Sequence, residues 1–266
     1  MMIDPVCGME ISSEDFSTEY QDILYAFCSN QCKLSFLQQP GIYIDMQISR
    51  IKERNKELEL VRFETVQCLS RAAEYKDNET GEHILRMAGH CKRLAMLSGL
   101  DVKHVELIEA ASPMHDIGKI GIPEHVLLKE GPLDTRERQL IQQHPEIGAR
   151  IIGDNLQSEL MKMASTISLT HHEKWDGTGY PKGLKADGIP IEGRIVGICD
   201  VFDALISKRP YKQAWPAWKI KDYISVQRGQ HFDPILAELF VDNFSDFLAI
   251  CKHCNSNSDQ GGFRCS

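Results

Sequence analysis

The sequence HHEKWDGTGYPKG, residues 171–183, places two adjacent histidines directly before a turn that contains three glycines and one proline. Glycine permits tight turns and close backbone approach, and proline fixes φ. Two neighbouring imidazoles can hold a metal ion. The alternative is an ordinary polar loop, and the other histidines of the chain decide between these interpretations.

The composition limits the classes of function. The chain has 266 residues, 42% of them apolar, which suits a main domain with a smaller accessory module. The 30 basic and 38 acidic residues give a net charge of −8. No basic surface is implied, so we expect no duplex nucleic acid as a partner. A site for an anionic ligand must then draw its positive charge from metal ions or from a few lysines and arginines.

Hydropathy and cysteine content favour a cytoplasmic protein. The sequence has no run of about 18 apolar residues, so we expect no membrane span. The start MMIDPVCGM lacks the cationic and apolar regions of a signal peptide. In a reducing compartment the nine cysteines should be thiols or metal ligands.

The cysteines cluster at the two ends of the chain, and the segment between these clusters is rich in histidine. We therefore predict a metal-binding module over residues 1–45, a helical linker over 46–64, a central domain over 65–250 and a cysteine-containing tail over 251–266. The terminal cysteines are Cys7, Cys28, Cys32, Cys251, Cys254 and Cys265.

The N-terminal module has mixed secondary structure in this prediction. Strand-like segments surround Tyr20 and Tyr25, and residues 30–38 favour a helix that ends before Pro40. A module of about 40 residues seldom folds on apolar burial alone, so a metal ion held by thiolates would help.

A long helix is predicted over residues 46–74, which contain no glycine or proline. Its apolar stripe is thin, and Asn55 interrupts it. A homodimer through the helix over residues 46–70 therefore stays open.

The central domain should be all-α, because helical patterns alternate with glycine and proline punctuation. One helix start is predicted in detail, with Asp233 as N-cap and Pro234 at the first helical position.

Histidines and carboxylates recur together in this domain. Neutral imidazole and carboxylate suit first-row metals such as Fe and Mn. Five histidines and three carboxylates fit a pocket that holds two or three metal ions. These residues are Glu79, His83, His115, Asp116, His144, His171, His172 and Asp200.

The segment HD-x-GK at 115–119, together with HHEKWDGTGYP at 171–181, resembles the HD-GYP phosphodiesterases. The resemblance runs from about residue 65 to 245 and includes ETGEH, HPEIG, DVFDAL and RPYK. It implies an HD-type helical bundle. It also implies hydrolysis of cyclic di-GMP to linear pGpG, GMP or both, by attack of a metal-bridging hydroxide.

The resemblance also assigns roles. All eight of the histidines and carboxylates named above become metal ligands, with Glu79 at a third metal ion. Asp116 and Lys119 become catalytic, while Arg209, Lys212 and Tyr180 bind substrate. The chemistry agrees for Asp116, a natural bridging carboxylate, and for Lys119, whose charge can stabilise a phosphate. Whether Tyr180 faces the ligand or packs the loop stays open.

The N-terminal segments DPVCGM and YAFCSNQCKLSFLQQPGIY resemble a YHS or TRASH-type metal-binding domain. Thiolates at Cys7, Cys28 and Cys32 would suit Zn or Cu. Buried structural thiols are the alternative. In the tail, CKHC with His253 and Cys265 could bind zinc, and a disordered end is the other interpretation.

Three functions compete. The leading one is a cyclic dinucleotide phosphodiesterase, with mixed cyclic GMP-AMP as an alternative substrate. A non-catalytic cyclic dinucleotide receptor is the second, although a receptor need not keep the full ligand set. A hydrolase of ordinary nucleotides is the third, and the GYP and RPYK segments argue against it.

Overall fold

A computed structural model describes residues 2–11, 16–77, 81–207 and 213–258. The chain forms two compact units, Met1–Arg62 and Phe63–Ser266. Among the described residues, every helix is too short or too polar to span a lipid bilayer.

The N-terminal unit combines two small antiparallel hairpins with a helix. Strand β1 (Met2–Ile3) pairs with β2 (Glu10–Ile11), and β3 (Phe16–Tyr20) pairs with β4 (Ile23–Phe27). Helix α1 spans Asn30–Gln38. The predicted mixture of strands and helix is therefore confirmed.

A single aromatic side chain organises the core of this unit. Phe36 of α1 is fully buried, and its ring centroid lies 4.8 Å from that of Tyr25 and 5.2 Å from that of Phe27. The Ser29 side chain accepts a hydrogen bond from the backbone N–H of Cys32 and so caps α1. Packing around Phe36 thus holds α1 against the second hairpin.

Helix α2 spans Pro40–Asp77, so the predicted long helix is confirmed but extends further at both ends. Pro40 begins this helix, because the first helical position needs no N–H donor and proline already has helical φ. The sequence prediction used Pro40 only as a stop signal for α1.

The second unit is helical, and the all-α prediction is confirmed. Its short 3₁₀ helices are Ser112–Met114, Ile117–Gly121 and Ala186–Gly188. Its α-helices are α3 Gly81–Leu97, α4 Val102–Ala111, α5 Glu124–Leu127, α6 Thr135–Ile141, α7 His144–Ile152, α8 Glu159–Thr170, α9 Ile191–Ile206, α10 Ala217–Val226, α11 Pro234–Asp242 and α12 Phe244–Ser258.

The core of this unit lies around α3 and α9. Helix α3 packs against α4, α9 and α12, and α8 packs against α4, α7 and α9. Phe240 and Phe247 stack with ring centroids 3.8 Å apart, and both are fully buried. The predicted start of α11 is also confirmed, since the Asp233 side chain accepts hydrogen bonds from the N–H groups of Ile235 and Leu236.

Two glycines allow α7 to approach the segment that follows the HD dipeptide. A Cβ on Gly118 would overlap the backbone carbonyl of His144, and a Cβ on Gly148 would overlap the hydroxyl of Ser168. At Gly118 only glycine fits without movement of the backbone, whereas a Cβ at Gly148 would require the Ser168 side chain to move. This contact places His144, the first residue of α7, beside the HD dipeptide.

The predicted tail begins inside a helix. Cys251 and Cys254 belong to α12 and are buried, so the chain does not become irregular at residue 251. Among the described residues, Cys251, His253 and Cys254 form no ligand group, and the zinc interpretation lacks support there. Cys265 lies outside the described residues. Cys251 packs inward from this helix, with its sulfur 3.6 Å from His90 Nε2.

Candidate metal centre

The HD dipeptide, His115-Asp116, lies between two short 3₁₀ helices, where the chain turns sharply enough to direct both side chains inward. Around it, the fold brings together seven of the eight predicted ligands in two groups. Within each group the ligand atoms lie within 4.8 Å of one another. One group is Asp116, His144, His171 and His172, and the other is His83, His115 and Asp200. Three predicted site residues, Glu79, Arg209 and Lys212, lie outside the described residues.

Asp116 faces both groups. Its Oδ1 lies 3.2 Å from His144 Nε2 and 3.6 Å from His171 Nε2. Its Oδ2 lies 3.2 Å from His115 Nε2 and 2.9 Å from Lys119 Nζ. One carboxylate is thus shared between two neighbouring sets of nitrogen and oxygen donors.

Backbone carbonyls orient the imidazoles. A carbonyl oxygen only accepts, so a ring nitrogen beside it must carry hydrogen, and the other nitrogen then presents a lone pair in the neutral ring. His144 Nε2 and His171 Nε2 lie 3.4 Å apart. Two lone pairs that face each other repel, and a cation between them removes the repulsion. The Nδ1–carbonyl distances are 2.8 Å for His115 to Ser112, 2.8 Å for His144 to Ile141 and 3.0 Å for His171 to Ser168.

Electrostatics agree with a cation site. Burial lowers the pKa of His171 and His172, so both rings are neutral at pH 7 and able to bind metal. Burial works to raise the pKa of Asp116, but Lys119 and His115 outweigh it and hold the pKa well below its usual value. Burial also works to lower the pKa of His115, but the carboxylates of Asp116 and Asp200 raise it to about 10. A cation that uses His115 must therefore displace a proton.

The glycine-rich turn after His172 folds back onto that histidine. Tyr180 donates its backbone N–H to the His172 carbonyl at 3.2 Å, and a Cβ on Gly179 would overlap the backbone nitrogen of Lys174. The Tyr180 ring stacks on the His172 ring with centroids 4.8 Å apart. The turn thus needs glycine for a close backbone approach, and Tyr180 packs against a candidate ligand.

A family model described as the HD domain matches residues 66–236. The chain belongs to the HD domain family. A second model, the YHS domain, matches residues 2–46. The resemblances to HD-GYP phosphodiesterases and to a YHS domain are both confirmed.

The HD domain has curated relatives whose names state cyclic dinucleotide hydrolysis. The "3'3'-cGAMP-specific phosphodiesterase 2" of Vibrio cholerae is 44% identical over 200 residues, which are 75% of this chain and 37% of that protein. The "Cyclic di-GMP phosphodiesterase response regulator RpfG" of Xanthomonas campestris is 37% identical over 90% of this chain and 63% of that protein. The "Cyclic di-GMP phosphodiesterase" of Thermotoga maritima is 42% identical over 67% of this chain and 48% of that protein.

The chain therefore spans between 37% and 63% of the length of these three relatives. A solved structure described as a cyclic GMP-AMP phosphodiesterase of V. cholerae superposes with a TM-score of 0.52. It covers 72% of this chain and 50% of that chain at 18% identity, a similarity that concerns the fold.

The YHS domain gathers its three predicted cysteines. The sulfur of Cys28 lies 3.5 Å from that of Cys7 and 3.7 Å from that of Cys32. Asp4 joins the group, although the sequence analysis missed it. This buried carboxylate accepts hydrogen bonds from the backbone N–H groups of Val6 and Cys28, both at 2.8 Å. In the sequence, the position of Asp4 just before the Pro-Val-Cys turn could have indicated that it belongs to the cysteine group.

Three acidic residues of the HD domain were also missed. Asp203 contacts the ligand candidate His83, and its position three residues after Asp200 on α9 placed it on the same helical face. Glu173 is buried and accepts hydrogen bonds from the backbone N–H groups of Lys182 at 2.7 Å and Leu184 at 3.0 Å, which closes the turn. Asp77 lies 2.5 Å from Lys119 Nζ across 42 residues of sequence, and no local pattern indicated this pair.

We expect protein purified without oxygen to carry at least two metal ions per chain in the HD domain. Because His144 belongs to the group around Asp116, His144→Gln should lower the metal content by about one ion per chain. His125→Gln is the matched control, since His125 is exposed on α5. Elemental analysis of the three proteins measures the difference. A folded wild type that carries fewer than two ions would contradict the expectation.

The same analysis addresses the YHS domain. Cys28→Ser should remove one Zn or Cu ion per chain and leave the metal content of the HD domain unchanged. Zn or Cu retained in this variant would contradict the role of Cys28, and a wild type without either metal would favour structural thiols instead.

Proposed function

We propose that the chain is a metal-dependent phosphodiesterase that hydrolyses cyclic dinucleotides. The observation that carries the proposal is Asp116, a single carboxylate whose two oxygens face two adjacent groups of histidine donors. A paired metal centre of this kind suits displacement at phosphorus. The curated relatives support the same reaction, because their names state it.

The donors favour Fe or Mn. Both groups consist of imidazole nitrogens and carboxylate oxygens, whereas the cysteine sulfurs of the chain gather elsewhere. When bound, the metal ions would activate a water molecule and stabilise the charge of the entering and leaving oxygens. Two ions would use the two described groups, and Glu79 would serve a third.

Lys119 supplies the positive charge that the chain itself brings to the reacting phosphate. Its ammonium lies 2.9 Å from Asp116 Oδ2, at the edge of the ligand cluster, and is 17% exposed. A phosphate oxygen beside the cluster would be within its reach. Arg209 and Lys212 would bind the phosphate that is not cleaved, and Tyr180, held against His172, would line the substrate side.

Cyclic di-GMP is the proposed substrate, with linear pGpG, GMP or both as products. Mixed cyclic GMP-AMP is the second candidate, because the V. cholerae relative that is 44% identical carries that specificity in its name. A non-catalytic receptor stays a weaker proposal, since binding alone would not need a carboxylate shared between two donor groups.

Product analysis tests the function. Mn- and Fe-loaded protein is incubated with cyclic di-GMP, mixed cyclic GMP-AMP and cyclic di-AMP, and the products are separated by chromatography. We expect turnover of cyclic di-GMP to linear product. Faster turnover of the mixed dinucleotide would select the second candidate. Tight binding without turnover of any of the three would favour the receptor.

The role of Lys119 can be separated from general charge effects. If its ammonium stabilises the transition state more than the bound substrate, Lys119→Ala should lower kcat on the order of 100-fold, with a smaller change in KM. Lys129→Ala is the matched control, because Lys129 also lies 2.5 Å from a carboxylate, that of Glu137, on the exposed surface. Metal content is checked first. A raised KM with unchanged kcat would argue against this role.

A homodimer through the helix over residues 46–70 is also part of the proposal. Ile48, Ile51, Leu58 and Leu69 are exposed on α2. A coiled-coil seam repeats in alternating steps of three and four residues, and all four residues fall on one such series. Sedimentation velocity should show a dimer for the wild type and a monomer for Leu58→Glu. Lys52→Glu, on the same helix, should stay dimeric. A monomeric wild type at tens of micromolar would exclude this pairing.

A further inference from the structure

Asp203 forms a buried charge network at the side of the metal groups. Its Oδ2 lies 2.7 Å from His83 Nδ1, and its Oδ1 accepts a hydrogen bond from Arg86 Nε at 2.6 Å. A second guanidinium nitrogen of Arg86 donates to Oδ2 at 3.0 Å. His83 and Arg86 lie three residues apart on α3, and the Asp203 side chain is only 1% exposed.

The guanidinium defines the state of this carboxylate. Arginine stays protonated in proteins, and its planar fork here contacts both oxygens of Asp203. A carboxylate in such a bidentate pair is ionised and can only accept hydrogen bonds. The nitrogen of His83 that faces it must therefore be the N–H donor, which leaves Nε2 as the ring atom that can bind a metal ion.

We infer that Asp203 is a positioning residue for the group His83, His115 and Asp200, because it fixes the Nδ1–H tautomer of His83 and so directs the Nε2 lone pair toward the metal. This inference rests on the proposed function, which places a metal ion in that group. Carboxylates that orient metal-binding histidines in this way raise metal affinity on the order of 10–100-fold.

The alternative is a salt bridge that only joins helices. A matched pair of that kind exists on the same helix: Arg93 Nε and a second guanidinium nitrogen contact Asp246 Oδ2 at 2.9 and 2.6 Å. That pair connects α3 to α12 and is about a third exposed. If substitution of Asp203 lowers metal binding and substitution of Asp246 does not, the loss arises from the contact between Asp203 and His83.

The two interpretations predict different results for the substitution Asp203→Asn. The new amide has one acceptor oxygen, and the three donors from Arg86 and His83 compete for it. With the oxygen toward Arg86 Nε, the amide NH₂ faces His83 Nδ1. That arrangement favours His83 with its proton on Nε2, the tautomer that cannot bind a metal ion through Nε2.

Histidine ring ¹⁵N NMR of the metal-free 266-residue chain reads the tautomer directly, with the His83 signals assigned by their loss in His83→Gln. We expect Nδ1–H for His83 in the wild type and Nε2–H in Asp203→Asn. After reloading with Mn, elemental analysis should show that metal affinity at one site of Asp203→Asn falls 10–100-fold. Asp246→Asn should match the wild type in both measurements.

Each outcome bears on a different statement. An Nε2–H tautomer in the wild type overturns the inference, and this measurement does not depend on whether the Asp203 variant folds. An unchanged tautomer with unchanged metal content in Asp203→Asn also overturns it. A wild type with the expected tautomer that binds no metal contradicts the proposed function, yet leaves the hydrogen bond between Asp203 and His83 in place.

Discussion

The site depends on one carboxylate, Asp116, held between histidines in the interior of a helical domain. Burial of an ionised carboxylate costs several kcal/mol unless opposite charge and hydrogen bonds compensate it. Here Lys119 compensates one oxygen, at 2.9 Å, while the other faces the Nε2 atoms of His144 and His171. Because carbonyls already hold the Nδ1 protons of these two rings, they have no further proton to give in the neutral state. Asp116 Oδ1 accordingly has no hydrogen-bond donor among the described residues, and a bound metal ion would supply the missing partner.

The fold serves this arrangement through the ends of its elements. His115 and Asp116 lie at a break between 3₁₀ helices, His144 begins α7, and His171 follows the last residue of α8. Carbonyl groups in the last turn of a helix lack a helical N–H. The Ile141 and Ser168 carbonyls, near the ends of α6 and α8, accept from Nδ1 of His144 and His171, whereas the Ser112 carbonyl accepts both the backbone N–H and Nδ1 of His115. Backbone carbonyls near the ends of helices thus fix both the orientation and the tautomer of the metal-binding rings.

The sequence predicted those parts of the molecule that local pattern controls. Helical periodicity gave the all-α domain and α2, and the histidine and aspartate motifs gave the residues that converge around Asp116. It missed partners that lie far apart in the sequence, although Asp203 shares a helical face with Asp200. Asp203 meets His83 across 120 residues, and Asp77 meets Lys119 across 42. The sequence left the tail open, because a CxxC spacing on a helix looks the same whether its cysteines bind zinc or pack inward as Cys251 and Cys254 do.

The charges of the described site connect its metals to its substrate. Asp77, Asp116 and Asp200 place three carboxylates around the cluster, and Glu74 Oε1 lies 3.9 Å from His83 Nε2. The opposing positive charges are Lys119, in contact with Asp77 and Asp116, and His115, whose pKa the carboxylates raise to about 10. Asp203 adds no net charge, since Arg86 pairs with it. A dianionic cyclic dinucleotide would meet repulsion from such a site, and the chain as a whole carries a net charge of −8. Bound divalent cations reverse the sign of the local field, so the same ions that the histidines require would also be what allows the phosphates to approach. In this proposal, metal occupancy controls substrate binding as well as the chemical step, and the two cannot be separated by mutation of the ligands alone.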